Sequence, residues 1–255
     1  MKPTALAKIS AVLSLLALTA CVTNSESDHS LPTDRGAVIP IDAQADAGDG
    51  LKKWVRPVRV SLVGEVSPLH TAIVDNRVQW LRTMTGHNIG RDDGAGGNVV
   101  LIVERDLPET ALSKHAAVLM PLYSDTSAMQ ADLRDDGSDE LCVAKRATSQ
   151  AKPFELAYAA GLVPADLSAE EAMACIHRLL VSSMTWSATK GQPLVESDDP
   201  EPDPTKKKIA RGLTNFLEVV FLQSTYDRRA KPGMTADEMK PIQDRVMNKV
   251  LKRLK

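Results

Sequence analysis

Five histidines, three cysteines and one adjacent serine pair are the side chains best equipped for chemistry in this 255-residue chain. The histidines are His29, His70, His87, His115 and His177. No two are one helical turn apart, so the His-Glu-x-x-His arrangement that gives one helix two zinc ligands is absent. His177 lies on a helix-forming stretch and reads as a helix-side residue, with pocket acid/base chemistry as the alternative. His87 follows Gly86 and reads as a loop hydrogen-bonding residue. Ser182-Ser183 falls mid-helix with no Gly-x-Ser-x-Gly elbow around it, so these small hydroxyls serve close packing. Asp92-Asp93-Gly94-Ala95-Gly96-Gly97 lacks the ligand spacing and closing glutamate of a calcium loop. Neither a Walker loop nor a dinucleotide fingerprint occurs. Trp54, Trp80 and Trp186 have the chemistry of a carbohydrate or peptide groove, but two of them fit core stripes. The residues therefore nominate no catalytic group, no metal site and no cofactor.

Cys21 is different. Lys2 and Lys8 make a basic head, and Ile9 to Ala20 is an almost unbroken run of apolar and small residues. That run is shorter than the roughly 20 residues a membrane-spanning helix needs. It reads as a signal peptide over residues 1–20. Leu18-Thr19-Ala20-Cys21 resembles the bacterial lipoprotein signal, which implies acylation of the Cys21 thiol and an anchor of two or three chains; one chain alone holds a protein only marginally. Val22 follows in place of an aspartate, which favours the outer membrane. The expected location is the bacterial cell envelope, with the membrane as a partner through the N-terminal lipid. Cys142 and Cys175 then remain as an even pair in an oxidising compartment, and a disulfide between them is predicted. It closes a loop of roughly 30 residues and contributes about 3 kcal/mol in the chain-entropy picture.

The elements that carry these residues follow from patterning. The net charge is −2, and loss of Lys2 and Lys8 takes it to −4. No basic excess asks for nucleic acid. Residues 21–50, rich in Ser, Asp, Ala, Gly and Pro, read as a flexible tether. Residues 51–255 read as a single domain. Val58, Val60 and Leu62 alternate as in a half-buried strand. Ile73, Val74, Val78, Trp80, Leu81 and Met84 form a helical stripe over 68–85, stopped by Gly86. Asn98 to Val103 is a fully apolar strand, expected at the centre of a sheet. Residues 106–115 read as a short helix, 116–123 and 154–159 as extended, and 141–144 as the beginning of another extended region. Ser168-Ala169-Glu170-Glu171 is a capping box for a helix to Met184, and Thr235-Ala236-Asp237-Glu238 is another for the last helix. Between them, 193–204 reads as an acidic, proline-rich loop, and Ile209, Leu213, Phe216, Leu217, Val220 and Phe221 as a helix to about Thr225. Lys206-Lys207-Lys208 at its start reads as a solvated helix end.

Several stretches together resemble the bacterial domain-of-unknown-function family 2927 over about residues 51–245. They are Lys53-Trp54 with Pro57-Val58-Arg59-Val60, Thr85-Gly86-His87 with Ile89, Asn98-Val99, and above all Tyr226-Asp227-Arg228-Arg229-Ala230-Lys231-Pro232-Gly233-Met234. Members of that family are exported, often as lipoproteins, and have no assigned activity. Their helix reading Cys-x-x-Glu-Glu-x-x-Gln-x-Leu-Gly-Leu is similar to the zinc-peptidase helix, in which a glutamate takes a proton from metal-bound water. Cys175 matches the cysteine. Arg178 and Leu179 stand where the two glutamates would be, Ser182 replaces the glutamine, and Met184-Thr185-Trp186 replaces Leu-Gly-Leu.

The expected architecture is α+β: a small mixed sheet with packed helices and a helical C-terminal half. The resemblance implies a zincin-like layout with a decayed active helix. The expected role is non-enzymatic binding of an envelope protein or cell-wall component, with a peptidase-like hydrolase acting on cell-envelope substrates as the alternative.

Overall fold

The computed structural model describes residues 38–40, 50–94, 96–107, 109–123, 125, 127, 142, 144–184, 216 and 218–253. Residues 1–20, expected to be a signal peptide, Cys21, Trp186, the expected acidic proline-rich loop at 193–204 and Lys206-Lys207-Lys208 fall outside these residues. In chain order the elements are β1 (Val38–Pro40), β2 (Val58–Gly64), α1 (Pro68–Thr85), β3 (Ile89–Arg91), β4 (Val99–Glu104), α2 (Glu109–Lys114), α3 (Ala116–Leu119), a 3-10 turn (Met120–Leu122), β5 (Ala144–Ser149), β6 (Lys152–Pro164) and α4 (Ala169–Met184). Residues 218–225 form α5, and Ala236–Arg253 forms α6.

The strands make one mixed six-stranded sheet in the order β1-β5-β6-β4-β2-β3. β3, β2, β4 and β6 run parallel, while β5 is antiparallel to both β6 and β1. The α+β class holds. β4 lies between β2 and β6, and every one of its residues is buried. Its apolar run explains the place: a strand covered on both faces cannot alternate with polar residues. Val99, Leu101 and Val103 join a core with α1, α4 and Leu222 of α5. Val100 and Ile102 join the opposite core with Ala111 of α2, Leu119 of α3 and Leu122.

Helix ends follow their caps. The Ser67 hydroxyl accepts from His70 N, and His70 Nδ1 accepts from Ser67 N, so a histidine completes the capping box that a glutamate usually supplies. Gly86 ends α1 in the left-handed region at φ 66°, and its N–H donates to Arg82 O.

Four segments depart from expectation. Residues 116–123 are α3 and the 3-10 turn, not a strand, because Leu119 and Leu122 reach the same core at helical spacing. β6 runs on to Pro164, since Ala160 to Val163 stay buried on both faces. β3 is an edge strand too short for its alternation to register in the sequence. Within the stretch read as tether, Val38–Pro40 pairs antiparallel with Ala147–Ser149 and adds an edge strand. Three residues stabilised only by an existing edge leave no periodicity to read.

Candidate functional site

α4 begins where the sequence places it. Glu171 Oε2 accepts from Ser168 N at 2.9 Å and from Ser168 Oγ at 2.6 Å, which holds the Glu171 carboxyl below its usual range. The side facing the sheet is filled by Ala172, Cys175, Ile176, Leu179, Leu180, Ser183 and Met184. Cys175 is bonded to Cys142, the predicted disulfide, with Cα atoms 5.0 Å apart. Leu179 is fully buried against Gly161 of β6, where an added Cβ would collide with Leu179 Cδ2. Leu179, aligned with the family helix's second glutamate, is therefore a core residue. Arg178 beside it is half-buried, and its Nε is buried without a hydrogen-bond partner.

The serine pair closes onto its own helix: Ser182 Oγ and Ser183 Oγ both donate to Leu179 O, at 3.0 and 2.7 Å. The last carbonyls of a helix lack partners within it. Here distant donors supply them. Arg146 Nη1 donates to Ser182 O at 2.7 Å, Trp54 Nε1 to Ser183 O at 2.7 Å, and the Tyr226 hydroxyl to Met184 O at 2.8 Å. Trp54 is thus a core residue. Burial pushes the Tyr226 hydroxyl far above its ordinary range.

His177 Nε2 lies 2.9 Å from Glu218 Oε1 on α5, with Glu218 almost wholly buried. Trp80 of α1 meets the His177 ring edge-on at 5.3 Å. The histidine of α4 is therefore flanked by α1 and α5 and tied to a carboxylate 41 positions away, with no motif to pair the two.

A second cluster joins the two ends of the domain. Lys53 is buried and its Nζ donates to Thr225 O at 2.7 Å and Ala230 O at 3.1 Å. The first of these carbonyls ends α5, where a cation is favoured. The same ammonium stands 5.2 Å from the centre of the Tyr226 ring, whose centre is 5.1 Å from that of the His87 ring. Burial lowers the Lys53 pKa, partly offset by Asp227. Burial lowers that of His87 too, against the raising effect of the Arg56 carbonyl that its Nε2 contacts at 2.8 Å. Asp227 is held by Arg229 through two side-chain bonds of 2.8 and 2.7 Å, and its pKa falls to about 2. Leu51 N to Met234 O and Gly233 N to Leu51 O, both 2.8 Å, complete the seam.

A third cluster stands at the carboxyl end of β4. Glu104 is 2% exposed; its Oε1 lies 2.8 Å from His115 Nε2 and its Oε2 accepts from Lys114 Nζ at 3.2 Å. The His115 bond is the main cause of a lowered Glu104 pKa. Gly64 at the end of β2 leaves room for this carboxylate, since its absent Cβ would come within 2.9 Å of Oε1. Helices α1 and α2, which follow β2 and β4, pack on opposite faces of the sheet, so the cluster lies at the kind of crevice where open α/β sheets bind ligands. Adjacent Asp106 has φ 51°, the one described non-glycine residue in the left-handed region. No single motif links Glu104 to His115; only their positions around one strand end could have revealed them.

Among the described residues, no three His, Cys, Asp or Glu side chains gather closely enough to hold a metal ion. A shallow groove lined by Arg245, Asn248, Lys249, Lys252 and Arg253 lies on α6 and shares no lining residue with the three clusters.

The model of a family of proteins of unknown function, DUF2927, matches residues 41–184. The chain belongs to this family. The DUF2927 match covers more than half the chain and takes in β2 to β6, α4 and the disulfide, while the edge strand β1 lies just before it. It stops before Tyr226, and the stretch that carried most of the resemblance lies beyond it. In the structure that stretch nevertheless meets the DUF2927 region directly, through the bonds of Lys53 and Leu51. No curated protein and no solved structure matches the chain.

Proposed function

We propose that this protein is a lipoprotein of the bacterial cell envelope, anchored through Cys21 to the outer membrane, whose domain binds an envelope protein or cell-wall component without catalysing a reaction. The anchor reading is supported by the leader ending in Leu18-Thr19-Ala20-Cys21. The observation that carries the non-catalytic reading is the packing of α4. Leu179 is seated on Gly161 and the Cys175 thiol is consumed by Cys142. A helix so filled presents neither a thiol nor a carboxylate from its sheet side, which fits a zincin-like scaffold turned to binding.

The hydrolase alternative is favoured by one observation, the buried Glu104 carboxylate that orients His115 at the carboxyl edge of the sheet. A carboxylate fixing an imidazole is the usual support for a general base.

Labelling cells with a palmitate analogue tests the anchor: label on the wild type and none on C21A is expected, and an unlabelled wild type overturns it. Crosslinking in intact envelopes followed by capture of the tagged protein tests binding, with one envelope component recovered at stoichiometric yield. Purified protein carrying one zinc per chain would overturn the non-catalytic reading in favour of the hydrolase.

A further inference from the structure

We propose that the carboxyl-terminal half of α6 is a docking face for an anionic phospholipid surface, on which the domain rests through Arg245, Lys249, Lys252 and Arg253. This builds on the anchor reading above and gives the anchored domain an orientation.

Charge is split along α6. Its first half carries Asp237, Glu238, Lys240 and Asp244; from Arg245 to Arg253 it carries four cations and no acid. The whole chain has a net charge of −2, so everything outside these four sums to −6. The four stand at positions i, i+4, i+7 and i+8, which is one helical face. With Asn248 they line the shallow groove, and all five residues are exposed. Lys240 is paired with Asp244, whereas none of the four cations has an ion pair among the described residues.

This face works against the helix that carries it. Arg245 with Lys249, and Lys249 with Arg253, are like charges at i, i+4, which destabilise a helix. The helix dipole favours cations in the last turn only, so it accounts for Lys252 and Arg253 but not for Arg245 and Lys249. An anion from outside relieves the repulsion. Met239 and Ile242 meanwhile pack with Leu51 and Ala230, which fixes the helix to the domain with its cations in solvent.

The anion at hand is a lipid headgroup. Val38, the first residue of β1, follows Cys21 by 17 positions, so acylation of Cys21 keeps that edge of the sheet within about 60 Å of the bilayer even at full extension. An anionic leaflet attracts each Lys or Arg near its surface, and the attraction fades within a Debye length. A chain of net negative charge meets such a surface with its cationic face turned toward it. Long, flexible side chains around an open groove suit a layer of headgroups better than one enclosed ligand.

The test uses the full-length protein acylated at Cys21, in vesicles of equal parts phosphatidylglycerol and phosphatidylcholine and in vesicles of phosphatidylcholine alone. Lysines are acetylated with a water-soluble reagent. Rates at Lys249 and Lys252 are read by mass spectrometry against Lys240, which lies outside the groove. Both groove lysines should react about threefold or more slowly on the anionic vesicles, and about 0.5 M sodium chloride, which shortens the Debye length to a few ångströms, should abolish the difference. R245Q/R253Q changes exposed side chains and should lose much of the slowing; if that variant fails to fold, the wild-type comparison decides. Equal rates on the two vesicles overturn the proposal. So does equal slowing on both, which would mean that the chain itself or a second copy covers the face. Slowing confined to intact envelopes assigns the face to an acidic protein or wall polymer and overturns the lipid. An unlabelled wild type in the palmitate experiment removes the anchor and this orientation together, whereas equal lysine rates on acylated protein remove the docking face alone.

Discussion

Leu179 and Gly161 are complementary surfaces: the leucine of α4 occupies the space a side chain on β6 would need. G161A should therefore destabilise the domain by about 1–3 kcal/mol, the usual penalty for overpacking. G161A/L179A should recover part of that loss relative to the sum of the single changes, since contacting residues are not additive. Denaturant unfolding of the four proteins measures the cycle; strict additivity would show that the helix does not rest on the sheet there.

The acid limb of stability should be set by two carboxylates. His115 and Lys114 lower the Glu104 pKa, and Arg229 lowers that of Asp227 to about 2. The unfolded chain takes up these protons first, at the ordinary values of 4.5 and 3.8. Their contribution is thus complete above about pH 5 and is lost as pH falls toward 2. Unfolding midpoints measured from pH 6 to pH 2 should fall, and both E104Q and D227N should flatten the slope.

Reduction should matter. The link from Cys142 to Cys175 spans 33 positions, for which chain entropy gives about 3–4 kcal/mol. C142S/C175S, or thiol treatment of the wild type, should lower the melting temperature by several degrees. Equal melting of oxidised and reduced protein would show that the link adds nothing.

Lys53 should act as a structural cation. K53M leaves Thr225 O and Ala230 O without their donor and should cost about 2–3 kcal/mol. Burial lowers the lysine's pKa, so the folded protein releases this proton before the unfolded chain does near 10.5. Wild-type stability should gain from this group as pH rises through that interval, and K53M should lack the gain. Urea titrations at pH 8 and pH 10 compare the two slopes.

The sequence by itself determined the local pieces. Period and the Gly86 stop placed α1 over 68–85, and capping boxes placed the starts of α4 at Ser168 and of α6 at Thr235, because those signals lie within a few residues of each other. The unbroken apolar run of β4 marked it as central, since only a strand covered on both faces tolerates such a run. Cysteine parity, on the expectation of export with Cys21 set aside for lipid, anticipated the link from Cys142 to Cys175.

Tertiary structure decided what those pieces meet. The donors that close the end of α4 come from Trp54, Arg146 and Tyr226, positions with no local sequence relation to it. Glu104 with His115 and Glu218 with His177 are likewise matched only when strands and helices assemble. The short edge strands β1 and β3 arise from pairing with an existing sheet edge. A hydrogen bond between distant segments leaves no period in either one, so only the assembled chain records it.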